Sequence, residues 1–186
     1  MSKEKHNHGA AVSGTKSEKM LASITESVGF SFLKLKKDFE DHGISEWGRR
    51  YHEPPKEWRQ TTPKGKKRKF VSDGFIPITK SGRGIILEQK HSDKHGTTEE
   101  KVFYDLMKIE KGVYDGDNWL WYVFTGSAAE DIEVYKEFCL EAKQKGLKIK
   151  IIWGFDNYKK ELQNIKEVIY EQENKNRRLG EMDTLQ

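Results

Sequence analysis

Residues 72–90 read Ser72-Asp73-Gly74-Phe75-Ile76-Pro77-Ile78-Thr79-Lys80-Ser81-Gly82-Arg83-Gly84-Ile85-Ile86-Leu87-Glu88-Gln89-Lys90. The glycine-rich turn separates two short apolar runs, a pattern that predicts a β-hairpin. Side chains alternate along a strand, so Glu88 and Lys90 project to one face and Gln89 to the other. Strand pairing would bring Asp73 close to Glu88. Two carboxylates and an ammonium group at one place suit metal-assisted phosphodiester cleavage, which needs oxygen ligands for Mg²⁺ and a cation near the attacking water.

This spacing and strand context resemble the PD-(D/E)xK nuclease superfamily, which includes most type II restriction endonucleases. In that resemblance Asp73 matches the first acidic metal ligand, Glu88 the second and Lys90 the lysine. The backbone carbonyl of Gln89 would be a further ligand, and one or two Mg²⁺ ions would be the cofactor. Ser72 stands where the superfamily often has proline, a departure that affects the turn before Asp73 more than the chemistry.

The residues after Lys90 predict a polar loop followed by a helix. Thr97 or Thr98 is suited to cap that helix, and an apolar stripe follows at Val102, Leu106 and Ile109. The alternative is an ordinary strand-to-helix connection. In several restriction endonucleases a similar loop and helix start lie beside the metal site. The resemblance therefore makes Glu100 a possible accessory acid, and Lys94 and Lys101 DNA contacts.

Residues 49–69 combine many basic side chains with three prolines that disfavour regular structure. Such a segment can grip phosphates and release counterions from DNA. It can equally be a solvated loop or a localisation-type basic run. Beside the metal motif we predict DNA contact, with Trp58 able to stack on a base. The predicted contacts are Arg49, Arg50, Lys56, Trp58, Arg59, Lys64, Lys66, Lys67, Arg68 and Lys69.

The rest of the chain predicts scaffold elements. An apolar stripe predicts a helix over 16–42 that ends at Gly43, and the resemblance makes its Glu26 a possible accessory acid. Strands are expected over 118–126 and 147–153, and helices over 128–145 and from about Asp156 to Glu173. The order predicts an α/β fold with a mixed central β-sheet flanked by helices, similar to the restriction endonuclease core. A strand preceding Asp73 is only weakly marked: either 70–78 is a longer strand, or one lies within the basic segment.

Composition bounds the class of protein. The 186 residues suit a single domain, which we place at 16–174 with flexible tails at 1–15 and 175–186. The sequence contains neither a membrane-span-length apolar run nor a signal-peptide pattern, so we expect no membrane association. A single cysteine, Cys139, excludes an intramolecular disulfide and favours a cytoplasmic location.

The sequence thus predicts a Mg²⁺-dependent endodeoxyribonuclease acting on double-stranded DNA, in first place a type II restriction endonuclease. Such enzymes cut palindromes as two-fold dimers, so the resemblance implies a homodimer. No nucleotide cofactor is expected, because the chain lacks a Walker-type phosphate-binding motif. The alternatives are a structure-selective repair or junction nuclease of the same fold, a noncatalytic DNA-binding module with a structural salt bridge, and an RNA-binding protein.

Overall fold

The computed structural model describes residues 8–54, 69–92, 104–105, 107–114, 116–126 and 132–183. Helical turns occur at 104–105 and 107–110, in the expected second helix, whose start lies outside the described residues. The remaining elements, in chain order, are α1 His8–Val28, α2 Lys36–Asp41, β1 Tyr51–His52, β2 Phe70–Val71, β3 Gly74–Pro77, β4 Gly84–Ser92, β5 Trp119–Gly126, α3 Ile132–Gln144, β6 Lys148–Trp153 and α4 Gly154–Asp183.

Four strands form the central sheet in the order β3-β4-β5-β6. β3 and β4 pair antiparallel, which confirms the predicted hairpin, and β4, β5 and β6 are mutually parallel. The parallel strands are largely buried on both faces, as expected for a sheet covered by helices. The predicted α/β class, with a mixed sheet flanked by helices, is confirmed.

Alternation along β4 divides the core into two layers. Ile85 and Leu87 pack with apolar residues of α1 and α4, whereas Ile86 packs on the opposite face with residues of α2, α3 and the 107–110 turn. Glu88 follows Ile86 by two residues and therefore faces the second layer. The same pleat sends the neighbouring Gln89 toward α1.

The hairpin depends on a glycine at the start of β4. A Cβ atom at Gly84 would lie 2.0 Å from the carbonyl oxygen of Ile76 on β3. Gly84 also donates its backbone N–H to the side-chain oxygen of Asn118, 2.9 Å away, which links the hairpin to the start of β5. Only a residue without a side chain allows the two strands this approach.

The predicted single helix over 16–42 is wrong in its second half. α1 ends at Val28, and Gly29 has a φ of 98°, a conformation that favours glycine and breaks the helix. The backbone of Leu33 then exchanges hydrogen bonds of 2.8 and 3.0 Å with Phe75 of β3. The short helix α2 follows, and Gly43 ends it as predicted, with a φ of 64°.

The chain ends differ from the expected tails in secondary structure. Helix α1 begins at His8, inside the segment predicted as an N-terminal tail, and α4 extends to Asp183, inside the predicted C-terminal one. No helix of the described ranges has the length and apolar character needed to cross a membrane.

A separate two-stranded ribbon precedes Asp73. β1 pairs antiparallel with β2, and the Ser72 backbone N–H donates to the Arg50 carbonyl at 2.9 Å. The weakly marked strand is thus the short β2, which pairs outside the central sheet. Its partner lies at the start of the basic segment, of which residues 55–68 are outside the described part of the chain.

Candidate active site

The hairpin brings Asp73 and Glu88 together. The backbone N–H of Asp73 donates to the carbonyl of Leu87 at 3.0 Å, and the Asp73 carboxylate accepts the Gln89 backbone N–H at 2.6 Å. The Asp73 side chain is therefore held against the β4 backbone on either side of Glu88. The predicted proximity of the two acidic residues is seen in the structure.

Glu88 and Lys90 belong to a buried group of four charges. Lys90 Nζ lies 3.5 Å from Glu88 Oε2 and 2.7 Å from Asp105 Oδ2. Lys108 Nζ lies 3.6 Å from Glu88 Oε1 and 2.6 Å from Asp105 Oδ1. We call these four residues the charge cluster. Its two lysines alternate with its two carboxylates, so each charge has two opposite neighbours.

Two tyrosines cover the cluster. Tyr114 donates its hydroxyl to Glu88 Oε1 at 2.8 Å, and Tyr122 donates to the Tyr114 oxygen at 3.5 Å. Burial raises the pKa of both phenols well above the ordinary value, and the carboxylates nearby add to the effect. Both hydroxyls therefore keep their protons and remain hydrogen-bond donors.

The cluster determines the charge states of Glu88 and Lys90. Burial alone would raise the pKa of Glu88, but Lys90, Lys108 and the Tyr114 hydrogen bond outweigh it and lower the pKa. Burial alone would lower the pKa of Lys90, but the carboxylates of Glu88 and Asp105 outweigh it and raise the pKa. Glu88 is therefore an anion and Lys90 a cation at neutral pH.

Asp73 is the carboxyl group that the cluster does not balance. Burial raises its pKa from 3.8 to about 6, and the negative charge of Glu88 adds to the rise. The Gln89 N–H and the Lys90 ammonium oppose that rise without cancelling it. Two positive and two negative charges already neutralise each other beside it, so the Asp73 carboxylate is surplus negative charge in a half-buried place.

Asp73 and Glu88 suit a divalent cation. Mg²⁺ typically takes one or two protein carboxylates and completes its shell with water and substrate phosphate oxygens. The unbalanced charge of Asp73 beside Glu88 is what such an ion would neutralise. Among the described residues, however, no group of three or more histidine, cysteine, aspartate or glutamate side chains is placed to hold a metal. Whether the Gln89 carbonyl is a further ligand stays a prediction.

The acidic residue that α1 brings near the site is Glu18. Its charge helps to raise the pKa of Asp73, and it forms an ion pair with Lys34. Glu26, one of the two possible accessory acids, is exposed. On the same helix Ser17 hydrogen-bonds both to the Gln89 side chain and, at 3.2 Å, to Thr125. These contacts fix the N-terminal half of α1 against the ends of β4 and β5.

Sequence reasoning missed Asp105, Lys108 and Tyr114. Asp105 and Lys108 are three residues apart, the spacing that places charged side chains on one helical face, which is the signal that could have revealed them. Tyr114 follows Gly112, which ends the turn with a φ of 65°. Nothing in the local sequence marks it as a partner of Glu88.

The predicted DNA contacts divide into three groups. Arg49 links the hairpin turn to the loop after α2: it donates to the Gly82 carbonyl at 2.6 Å and to the Ser45 carbonyl at 3.1 Å. Arg50 donates to the Asp73 carbonyl at 3.1 Å, and the Lys69 ammonium lies 3.2 Å from the centre of the Tyr51 ring. The other predicted DNA contacts and the second possible accessory acid, Glu100, lie outside the described residues; these contacts are Lys56, Trp58, Arg59, Lys64, Lys66, Lys67, Arg68, Lys94 and Lys101.

No protein-family model, curated protein or solved structure matches the chain. The features that bear on function are therefore the geometry of Asp73 and the charge cluster, and the resemblance carried by Asp73, Glu88 and Lys90.

Asp73 makes the stability of the protein depend on pH in an unusual direction. Its pKa is about 6 in the folded protein against an ordinary 3.8, so between these values the folded state binds more protons than the unfolded state. The contribution of this carboxyl to the free energy of unfolding therefore falls as the pH rises through that window, by up to about 3 kcal/mol. Above pH 6 the full cost of the buried anion is present.

Urea unfolding of wild type and Asp73→Asn at pH 4 and pH 7 measures this effect. We expect the free energy of unfolding of the variant, relative to that of wild type, to be higher at pH 7 than at pH 4. The comparison removes the contribution of Glu88, whose lowered pKa acts in the opposite direction in both proteins. An equal difference between the two proteins at both pH values would contradict the raised pKa of Asp73.

Proposed function

We propose that the protein is a Mg²⁺-dependent endodeoxyribonuclease that hydrolyses phosphodiester bonds of double-stranded DNA. One observation carries the proposal: a half-buried carboxylate without a balancing cation, Asp73, lies beside the neutral charge cluster that contains Glu88 and Lys90. A site held together only by salt bridges would not need Asp73. Its partly desolvated negative charge is a cost that a divalent cation would remove.

The residues of the site would divide the work as follows. Asp73 and Glu88 would hold the ion, and Tyr114 and Lys108 would keep the Glu88 side chain in place. Because its pKa is raised, Lys90 keeps its proton and is unsuited to act as a base. It would orient the attacking water and offset the negative charge that develops on the phosphoryl group.

The bound ion would act as a Lewis acid on the phosphoryl oxygen and lower the pKa of a coordinated water. The chain itself supplies the positive charge for the substrate. Residues 55–68, between β1 and β2, contain six lysine and arginine residues and one glutamate, and β2 leads directly to Asp73. A basic segment attached at this position suits DNA held by its phosphates over the site.

The finer assignment is a type II restriction endonuclease that acts as a homodimer on a specific site. It rests on the resemblance of Asp73, Glu88 and Lys90 to the PD-(D/E)xK motif. A structure-selective repair or junction nuclease would use the same residues and would differ in the DNA it selects.

The charge cluster itself favours a second candidate, a noncatalytic DNA-binding module. Lys90 and Lys108 satisfy Glu88 and Asp105 without any ion, as in a structural salt-bridge network. Such a module would bind DNA equally well with and without EDTA. It would release no products when Mg²⁺ is present.

Incubation of the purified full-length protein with phage DNA, in Mg²⁺ or in EDTA, tests the proposal. We expect cleavage only with Mg²⁺, because the ion that Asp73 and Glu88 would hold supplies the Lewis acid for the reaction. Discrete fragments would indicate a sequence-specific enzyme, and a smear would indicate a nonspecific or structure-selective nuclease. Intact DNA that is nevertheless bound in both buffers would contradict cleavage and support the binding module. Stronger competition by RNA than by DNA for that binding would indicate an RNA-binding protein.

A further inference from the structure

A cavity of about 600 Å³ lies on the opposite face of the sheet from the charge cluster. The first residues of β4, β5 and β6 form its floor, and α4 contributes one wall. This volume is within the range of about 300–1,000 Å³ typical of small-molecule sites. None of the residues of the candidate active site lines it, so it is a separate site.

Two tryptophans of β5 line the cavity and differ in exposure. Trp119 is 47 % exposed, although most of its strand is buried. Trp121 is 1 % exposed, and its indole N–H has no acceptor among the described residues. Buried polar groups are nearly always hydrogen-bonded. An exposed indole beside an unsatisfied donor suits a flat ligand that carries a hydrogen-bond acceptor.

The polar residues of the wall add two further kinds of group. Asn164 and Gln172 carry side-chain amides, each of which both donates and accepts, as the edge of a nucleobase requires. Arg83 and Lys148 are exposed cations at the rim. Lys150 is paired with Glu161, and Asp117 is the other carboxylate of the lining. Three basic side chains against two acidic ones leave the lining with a net positive charge.

From these groups we infer that the cavity binds a nucleotide unit, a base together with its 5′-phosphate. The base stacks on Trp119 and accepts from the Trp121 N–H, the amides contact its edge, and the phosphate is neutralised by Lys148 and Arg83. Stacking on an aromatic side chain is tolerant of base identity, whereas the amides supply preference. No glycine-rich phosphate loop is needed, so the missing Walker-type motif does not exclude such a site.

The unit can come from a free nucleotide or from the end of a DNA strand, since both present the same base and phosphate. Titration of the full-length protein in EDTA, which prevents metal-dependent cleavage, separates these sources. Deoxyadenosine 5′-monophosphate and a 5′-phosphorylated single-stranded oligonucleotide are the probes. Binding is followed by tryptophan fluorescence and by the indole N–H signals in NMR spectra.

We expect saturable quenching and a shifted Trp121 indole signal with deoxyadenosine 5′-monophosphate. Trp119→Ala should weaken the binding by about tenfold or more, the loss of one stacking contact. Trp47→Ala is the matched control, because Trp47 is 52 % exposed but does not line the cavity. Lys148→Gln changes an exposed residue and leaves the aromatic floor intact. It should also weaken binding, and the difference from wild type should be larger at low salt, where charges are screened less.

Competition between the two probes identifies the source. Displacement of the mononucleotide by the oligonucleotide at lower concentration assigns a strand end, and the reverse assigns a free nucleotide; either supports a nucleotide unit. Equal binding by wild type, Trp119→Ala and Lys148→Gln would overturn the proposal. So would the absence of any shift of the Trp121 signal at saturating nucleotide. The outcome is independent of whether the protein cleaves DNA.

Discussion

Asp73→Asn should abolish the proposed Mg²⁺-dependent DNA cleavage while leaving the protein folded. The amide keeps the shape of the carboxyl group and can still accept the Gln89 N–H, but it removes the negative charge that would hold the ion. Metal coordination contributes several kcal/mol of transition-state stabilisation, so we expect a loss of about a thousandfold or more in rate. The change also removes the cost of the buried anion above pH 6, so inactivity through unfolding is not expected.

Nicking of supercoiled plasmid in Mg²⁺ gives the rate, and gel-shift titration in EDTA gives the affinity for DNA. Binding should be largely retained, because the predicted phosphate contacts are basic residues of the chain. Asp41→Asn is the matched control, the same chemical change at an exposed residue of α2. Cleavage by Asp73→Asn at the wild-type rate would remove Asp73 from the site.

Lys90→Met should destabilise the protein strongly, independently of any catalytic role. Methionine approximates the length of lysine but leaves Glu88 and Asp105 with Lys108 as their only cation in the cluster. Removing one partner of a buried ion pair typically costs about 3–5 kcal/mol, because the other charge is left uncompensated. Urea unfolding at pH 7 measures the loss. A substitution within the cluster could therefore lower activity through lost stability, so Asp73→Asn is the sharper test of catalysis.

The double variant Lys90→Met/Asp105→Asn separates charge balance from packing. It restores equal numbers of positive and negative charges in the cluster, so it should recover part of the stability that Lys90→Met loses. Lys37→Met, at an exposed residue of α2, is the control and should change stability by no more than about 0.5 kcal/mol. If Asp105→Asn lowers the free energy of unfolding further in the Lys90→Met background, the balance of charges in the cluster is not what stabilises the protein.

The hairpin and the meeting of Asp73 with Glu88 could be predicted because they depend on local rules. A glycine-rich turn joins two apolar runs, and strand pleating then assigns Glu88 and Lys90 to one face. Asp105 could not be placed in the same way, since its contact with Lys90 is set by how the following helix docks on the sheet. Charge patterning along that helix marks Asp105 and Lys108 as neighbours but does not identify what they face.

The break after α1 was missed because apolar residues, Val28 and Phe30 among them, continue across Gly29. The buried face of α1 runs through Ser17, Leu21, Thr25 and Val28, and its two hydroxyl residues do not register as part of an apolar stripe. Thr25 is buried because its hydroxyl lies 2.6 Å from that of Tyr158. Met20, an apolar residue of the same helix, is by contrast 49 % exposed. Glu18 is the acidic residue of α1 that influences Asp73, and the accessory role of Glu26 stays a prediction.

Gly84 lies far from the charge cluster along β4, yet the catalytic geometry proposed for the cluster depends on it. The hydrogen atom that serves as its side chain lets the turn close without pushing the Ile76 backbone away. A methyl group there would force the strands apart or slide one along the other. The same strand pairing aligns Asp73 with Glu88. The distance between the two acidic residues therefore depends on a glycine at the far end of the hairpin that contacts neither of them.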